Sequence, residues 1–199
     1  MQAAGEWIGD IASFLTIASF VCSLSISRRI CRATSSTDVA FSPLVVGILC
    51  TLFWLLYGHD VGDTRVTLVG AFGLIVTTVN ATMHRVFAEG AYTGSPLAAV
   101  LLLMYHVPSM METEQLGKVA FIFSVAYHLV PVIPSVTMFT RLQISLWKIV
   151  IFGLWTVYGG LVDDPPLFTS SLIGFSAGVI EFALRSTRPP PDSLRQELQ

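Results

Sequence analysis

Two matching segments carry the side chains best suited to hold a solute. Both contain Trp, Tyr-Gly, Asp and a second Gly, and all five matched pairs are separated by the same 101 residues. Trp and Tyr combine a large apolar ring with a hydrogen-bond donor, so two such segments can bind a small molecule between them. The first segment has Trp54, Tyr57, Gly58, Asp63 and Gly73, and the second has Trp155, Tyr158, Gly159, Asp164 and Gly174.

The residue types that enzymes and metal sites need are not grouped in this sequence. The three cysteines, Cys22, Cys31 and Cys50, form no CxxC motif and no Cys/His cluster with metal-ligand spacing. No Ser/His pair or pair of carboxylates stands at a working spacing. We therefore expect neither an enzyme nor a bound metal or cofactor. His128 is interpreted as a neutral histidine hydrogen-bonded among the helices, with a proton-carrying role as the alternative.

The composition places both segments in a membrane. Hydrophobic residues make up 53% of the chain and charged residues 12%, about half of the roughly 25% that is usual in soluble domains. The net charge of −2 argues against a nucleic-acid partner. A membrane helix needs about 20 apolar residues, and seven uncharged stretches reach or approach that length: 11–27, 39–59, 66–83, 90–111, 119–140, 149–162 and 165–180.

The two short stretches need flanking residues to span a bilayer. The sixth becomes long enough if it begins near Ile144, with Lys148 extending its ammonium group to the interface, and the seventh if it continues to Leu184. With the N-terminus outside, nine of the eleven Lys and Arg residues fall on the inner side. This distribution predicts an external N-terminus and a cytosolic C-terminus.

The repeat determines how the seven spans are grouped. Both copies of the motif run in the same direction, so two three-helix units must be joined by one additional crossing. We expect an all-α polytopic membrane protein with seven helices in a 3+1+3 arrangement of parallel bundles. The predicted divisions are a first repeat at 1–90, a linker helix at 91–113, a second repeat at 114–186 and a disordered cytosolic tail at 187–199.

Several short motifs together resemble one known family. The pattern is Ser35-Ser36-Thr37, Phe41-Ser42-Pro43-Leu44, the two Trp-x-x-Tyr-Gly motifs and Asp163-Asp164-Pro165. It resembles the MtN3/saliva family of SWEET sugar transporters, which are parallel-repeat membrane proteins, and the resemblance covers nearly the whole chain.

The resemblance implies passive, bidirectional flux of mono- or disaccharides. The expected partners are glucose or another hexose, with sucrose as an alternative, and the lipid bilayer. A homo-oligomer is also expected. The plasma membrane is the expected location, with the Golgi or another endomembrane as the alternative.

Helix depth predicts a binding layer made of Trp54, Gly70, Trp155 and Ser171. At 1.5 Å per residue, these four positions lie at similar depth in the outer half of the membrane. The residues alone leave open an interfacial aromatic belt, whereas the resemblance implies a sugar pocket. The family typically has Asn at the positions of Gly70 and Ser171, so we expect a wider and less polar pocket with altered specificity or weak affinity.

The resemblance also implies a gate and hinges. A contact between Tyr57 and Asp164 is expected to close the outer side. Hinge prolines are expected at Pro43, Pro131 and Pro134, because Pro inside a helix removes a backbone hydrogen bond. The family's other two proline positions hold Ile144 and Cys22.

Two other functions remain open at this stage. One is an amino-acid or small-solute exporter of the PQ-loop type, which ranks second because the chain has no Pro-Gln dipeptide. The other is a seven-helix receptor or trafficking protein that binds without transporting, and the missing Asn pair keeps this alternative open.

Overall fold

The protein is all-helical over the residues described by a computed structural model, which are 2–88, 96–129 and 141–186. Pro131, Pro134 and the predicted tail at 187–199 lie outside these residues. The eight helices are α1 (Gln2–Ser23), α2 (Ser25–Ala33), α3 (Ser42–Asp60), α4 (Thr64–Val86), α5 (Pro96–Met110), α6 (Thr113–Leu129), α7 (Arg141–Leu161) and α8 (Pro165–Ser186).

These helices confirm the predicted seven-span fold, because α1 and α2 form one apolar run over Gly5–Ala33. Within the described ranges, this run and the apolar parts of α3, α4 and α8 are each long enough to cross a membrane. The apolar parts of α5 and α7 are shorter, at Leu97–Val107 and Ser145–Leu161.

Six of the helices form a closed ring. In order around the ring, α1 packs on α4, α4 on α3, α3 on α6, α6 on α8, α8 on α7, and α7 on α1. One triad is α1, α3 and α4, the other is α6, α7 and α8, and they meet along α3–α6 and α1–α7. The linker helix α5 packs outside the ring on α3 and α4. We call the end of the ring with the α3–α4 and α7–α8 turns the acidic end, and the opposite end the basic end.

The first span is interrupted at Leu24, between α1 and α2, although it contains no proline. Ser23 Oγ donates to the carbonyl of Phe20 at 2.7 Å, and a side-chain bond of this kind competes with the helical ladder. The interruption follows Cys22, the position where the family resemblance implies Pro. Pro43, in contrast, is the second residue of α3, where Pro removes no helical hydrogen bond. Its hinge role stays a prediction.

Lys148, which the sequence analysis expects to extend to the interface, pairs with an acidic residue of α8. Its Nζ donates to Glu181 Oε2 at 3.0 Å, and both side chains are 26% exposed. A paired opposite charge reduces the cost of placing each group within the membrane. The pair therefore joins α7 to α8, which the count of uncharged stretches could not show.

Two glycines allow the tight helical hairpins of the two triads. A Cβ atom at Gly58 would lie 2.7 Å from the backbone N of Thr67, and one at Gly159 would lie 2.8 Å from that of Phe168. Real Cβ atoms do not approach a backbone this closely. The Gly of each Tyr-Gly motif is therefore required by the packing of α3 on α4 and of α7 on α8.

We predict that Gly159→Ala destabilises the protein and that Gly160→Ala does not. The added methyl group at 159 overpacks against the α8 backbone, which typically costs about 1–3 kcal/mol. A Cβ at Gly160 meets only the Phe168 ring at 3.5 Å, an ordinary contact. Thermal unfolding of the two variants in detergent measures the difference. Equal unfolding temperatures would show that the hairpin tolerates a wider spacing.

Candidate substrate-binding cavity

The ring of six helices encloses a cavity of about 140 Å³. All four residues that the sequence analysis predicted as a binding layer, Trp54, Gly70, Trp155 and Ser171, border it. Their role in binding stays a prediction, but the fold brings them to one place. Each helix of the ring contributes to the wall, as shown by Thr16, Thr51, Gly70, Ser124, Phe152 and Ser171.

The two tryptophans connect the triads across the cavity. Trp54 Nε1 on α3 donates to Ser124 Oγ on α6 at 2.7 Å. Trp155 Nε1 on α7 donates to Thr16 Oγ1 on α1 at 2.9 Å. Trp155 is also only 6% exposed. These inward-directed indoles do not form an interfacial aromatic belt.

Two tyrosine–aspartate hydrogen bonds join the triads at the acidic end. Tyr57 Oη donates to Asp164 Oδ1 at 2.9 Å, which is the contact expected from the family resemblance. Tyr158 Oη donates to Asp63 Oδ2 at 2.8 Å. The sequence analysis did not propose this second pair, although the repeat offset of 101 residues contained the signal. Each bond joins one triad to the other.

The same two aspartates also begin α4 and α8. Asp63 Oδ1 accepts a backbone N–H from the first turn of α4 at 2.8 Å, and Asp164 Oδ1 accepts one from the first turn of α8 at 2.9 Å. Carboxylates in this position cap a helix N-terminus. Burial raises the pKa of the Asp164 carboxyl, because its charge is partly withdrawn from water.

Glycines at matching positions of α1 and α6 lie against the two tyrosine rings. A Cβ at Gly9 would lie 2.7 Å from the ring of Tyr158, and one at Gly117 would lie 3.0 Å from the ring of Tyr57. Gly9 and Gly117 are separated by 108 residues, as are the indole acceptors Thr16 and Ser124. The repeat therefore extends to α1 and α6 with a different offset, which the contacts reveal and the gap-free sequence comparison missed.

The contact between Tyr158 and Asp63 is further stabilised by a neighbouring arginine. Arg65 Nε donates to Asp10 Oδ1 at 2.6 Å, and the Arg65 guanidinium lies over the Tyr158 ring at 5.8 Å. The corresponding residues in the other triad are Pro166 and Lys118. The contact between Tyr158 and Asp63 is therefore held by a charge network that its counterpart lacks.

Sequence comparison finds similar proteins among sugar transporters. A family model described as "Sugar efflux transporter for intercellular exchange" (MtN3/saliva) matches residues 6–91. Sugar transporter SWEET1 of Mus musculus is 26% identical over 222 residues, covering 100% of this chain and 99% of the relative. Bidirectional sugar transporter SWEET16 of Oryza sativa subsp. japonica is 21% identical over 208 residues, covering 92% of this chain and 63% of the relative.

The chain is thus similar to the SWEET transporters along its whole length, and the family model matches its first repeat. A solved structure of a eukaryotic SWEET transporter has a similar fold, with a TM-score of 0.77, 17% sequence identity and coverage of 92% of this chain and 96% of that one. SWEET proteins form a transporter family rather than an enzyme family, in agreement with the expectation from the sequence. The multiple helices long enough to cross a bilayer are those of an integral membrane protein.

Gly70 stands where the family resemblance implies Asn, and the backbone of a neighbouring helix lies against it. A Cβ at Gly70 would lie 2.6 Å from the backbone N of Leu55 and 2.7 Å from its Cα. The α3 backbone therefore occupies the space into which a side chain would begin. Close packing of α4 on α3 fills that space, and the expected wider pocket stays a prediction. Ser171, at the matching position of α8, keeps its side chain on the cavity wall.

We predict that removing both tyrosine hydroxyls opens the acidic end more often. Tyr57→Phe combined with Tyr158→Phe loses two hydrogen bonds of about 0.5–1.5 kcal/mol each. The ratio of open to closed molecules should rise roughly 5-fold to 150-fold. The measurement is the rate at which a membrane-impermeant maleimide, added at the acidic end, labels Cys50 on the cavity wall.

The labelling experiment uses a background in which Cys22 and Cys31 are replaced by Ser, since both are exposed. Tyr105→Phe is the matched control, because Tyr105 is 79% exposed on α5 and contacts neither aspartate. A double variant that labels no faster than this control would contradict a closing role for the two bonds.

Proposed function

We propose that this protein is a facilitative sugar carrier that moves mono- or disaccharides, glucose or another hexose above all, across a membrane by alternating access. The observation that carries the proposal is one cavity shared by two helix triads, which are joined at the acidic end by hydrogen bonds between them. The names of its relatives support sugar as the solute. The proposed units are the repeats at 1–90 and 114–186 with the linker at 91–113.

Both closing bonds lie between the triads, not within one. A small rotation of α6, α7 and α8 against α1, α3 and α4 would therefore break both tyrosine–aspartate contacts together. The helix hairpins can stay intact during this motion, because their glycine contacts lie inside each triad. Motion of one repeat against the other around a fixed site is how parallel-repeat transporters alternate access.

The wall of the cavity supports passive transport over ion coupling. Among the described residues that line it, none is Asp, Glu, Lys or Arg. Proton-driven carriers place such groups along the transport path. The partly buried charges of Lys148 and Glu181 neutralise each other and do not border the cavity. We therefore assign the driving force to the sugar gradient alone.

The distribution of charge supports a plasma-membrane orientation with the acidic end outside. The basic end then faces the cytosol, as the excess of Lys and Arg on that side requires. The closed acidic end would then be the outward gate. Association into a homo-oligomer is part of the same proposal.

We predict saturable hexose uptake and efflux in cells that lack their own hexose carriers. The flux should follow the gradient in both directions and be the same at two pH values and with a protonophore, because no charged group lines the described cavity. A panel of hexoses and disaccharides identifies the substrate. Absence of flux for every sugar, with surface expression confirmed, would refute the proposal.

Trp155→Ala should reduce this flux by about tenfold or more, because it removes an aromatic wall and a bond between triads. Trp147→Ala is the matched control on the same helix, since Trp147 is 40% exposed and does not border the cavity. Equal flux in the two variants would show that Trp155 is not part of the site.

A further inference from the structure

The two triads line the cavity with unequal polarity. Ser124 and His128 stand four residues apart on α6, so they share one helical face, and both border the cavity. Their counterparts on α1, at the offset of 108 residues, are Thr16 and Phe20, which also border it. An imidazole in one triad therefore stands where the other has a phenyl ring.

The structure holds these two rings in equivalent places. A Cβ at Gly73 would lie 2.5 Å from the Phe20 ring, and one at Gly174 would lie 2.7 Å from His128 Nε2. Each glycine thus makes room for one ring. His128 also packs edge-on against Phe152, with ring centroids 4.6 Å apart. The sequence analysis interprets His128 as hydrogen-bonded among the helices. No described residue forms a hydrogen bond with its ring nitrogens, so this interpretation is wrong for the part of the chain that the structure describes.

The hydroxyl protons of the first triad are already used. Thr16 donates to the carbonyl of Ala12 at 2.7 Å. Thr51 and Thr77 donate to carbonyls of their own helices, each at 2.8 Å. Gly70 has no side chain, and Phe20 has no hydrogen-bonding group. This wall offers a solute no free donor among these five cavity residues.

Two polar groups of the second triad stay available. Ser171 and His128 make no hydrogen bond to any described residue, and both border the cavity. Ser171 lies one helical turn from Gly174, which touches His128, so the two Cβ positions on α8 are about 5–6 Å apart. Ser124, in contrast, accepts from Trp54 at 2.7 Å and shares a hydrogen bond with Cys50 Sγ at 3.5 Å, and Ser170 donates to the carbonyl of Leu167 at 3.1 Å. One solute edge can thus contact Ser171 and His128.

We propose that His128, with Ser171, recognises the hydroxylated edge of the sugar, while Phe20 and Gly70 form an apolar wall that favours a hexose lacking one hydroxyl. The preferred substrate class is a singly deoxygenated hexose, bound in one orientation. This inference rests on the proposed function for its solute class. In this orientation a fully hydroxylated hexose places one hydroxyl against Phe20, whose ring offers no hydrogen bond in place of the one lost to water.

The test titrates purified full-length protein with glucose and with each monodeoxyglucose, following intrinsic tryptophan fluorescence. At least one deoxy sugar should bind about tenfold more tightly than glucose, since an unsatisfied hydroxyl has a cost of that order. Phe20→His gives both triads an imidazole and should abolish this preference. A wild-type protein that binds glucose as tightly as every deoxy sugar would overturn the inference.

Two variants at 128 complete the design. His128→Phe copies the residue of the other triad, so it should fit beside Gly174 and weaken binding of all the sugars about tenfold. His128→Gln keeps a donor and an acceptor and should restore most of the affinity. Unfolding temperatures confirm that each variant is folded. If His128→Phe binds as wild type does, the inference fails.

The outcomes separate this inference from the proposed function. Selective binding without flux in the cell assay would refute the carrier proposal and leave the asymmetric site standing. If sugar flux occurs but no deoxy sugar is preferred, and substitutions of Phe20 and His128 do not change binding, the asymmetric site is refuted and the carrier proposal stands. Absence of binding by every sugar would overturn the inference directly.

Discussion

The pair of hydrogen bonds between Tyr57 and Asp164 and between Tyr158 and Asp63 is the constraint on which the rest of the structure depends. Each aspartate caps the first turn of its own helix and accepts a tyrosine hydroxyl from the other triad. Local helix geometry and the contact between triads are therefore joined in one side chain. In a bilayer, where polar groups must find partners within the protein, this arrangement joins the triads at one end of the ring and gives each aspartate hydrogen-bond partners.

Glycine packing makes this arrangement repeatable. Gly58 and Gly159 draw each hairpin together at the turn that carries the aspartate, and Gly9 and Gly117 admit the tyrosine rings from the opposite triad. Helix association in membranes depends on such close approach, because lipid tails compete equally well for apolar side chains. The cavity follows as the space that remains where the ring helices do not touch.

The two triads carry different charged residues at matching positions. Arg65 braces only one closing contact, and the ion pair of Lys148 with Glu181 has no charged counterpart. The residues at the matching positions of the first triad are Gly47 and Asn80, and Asn80 instead accepts from Ser27 at 2.5 Å. These charged groups do not border the cavity. Its two sides differ instead at Phe20 and Gly70 of one triad, whose counterparts in the other are His128 and Ser171.

The sequence by itself determined the membrane fold, the number of spans, the direct repeat and the tryptophan layer. These features follow from hydrophobic length and from identities at a constant offset, both of which are local properties of the chain. The close packing at Gly70, the contact of Tyr158 with Asp63 and the placement of His128 opposite Phe20 were decided only by the tertiary structure. Each depends on which helix faces which across the ring, and residues that meet there are separated by many tens of positions along the chain.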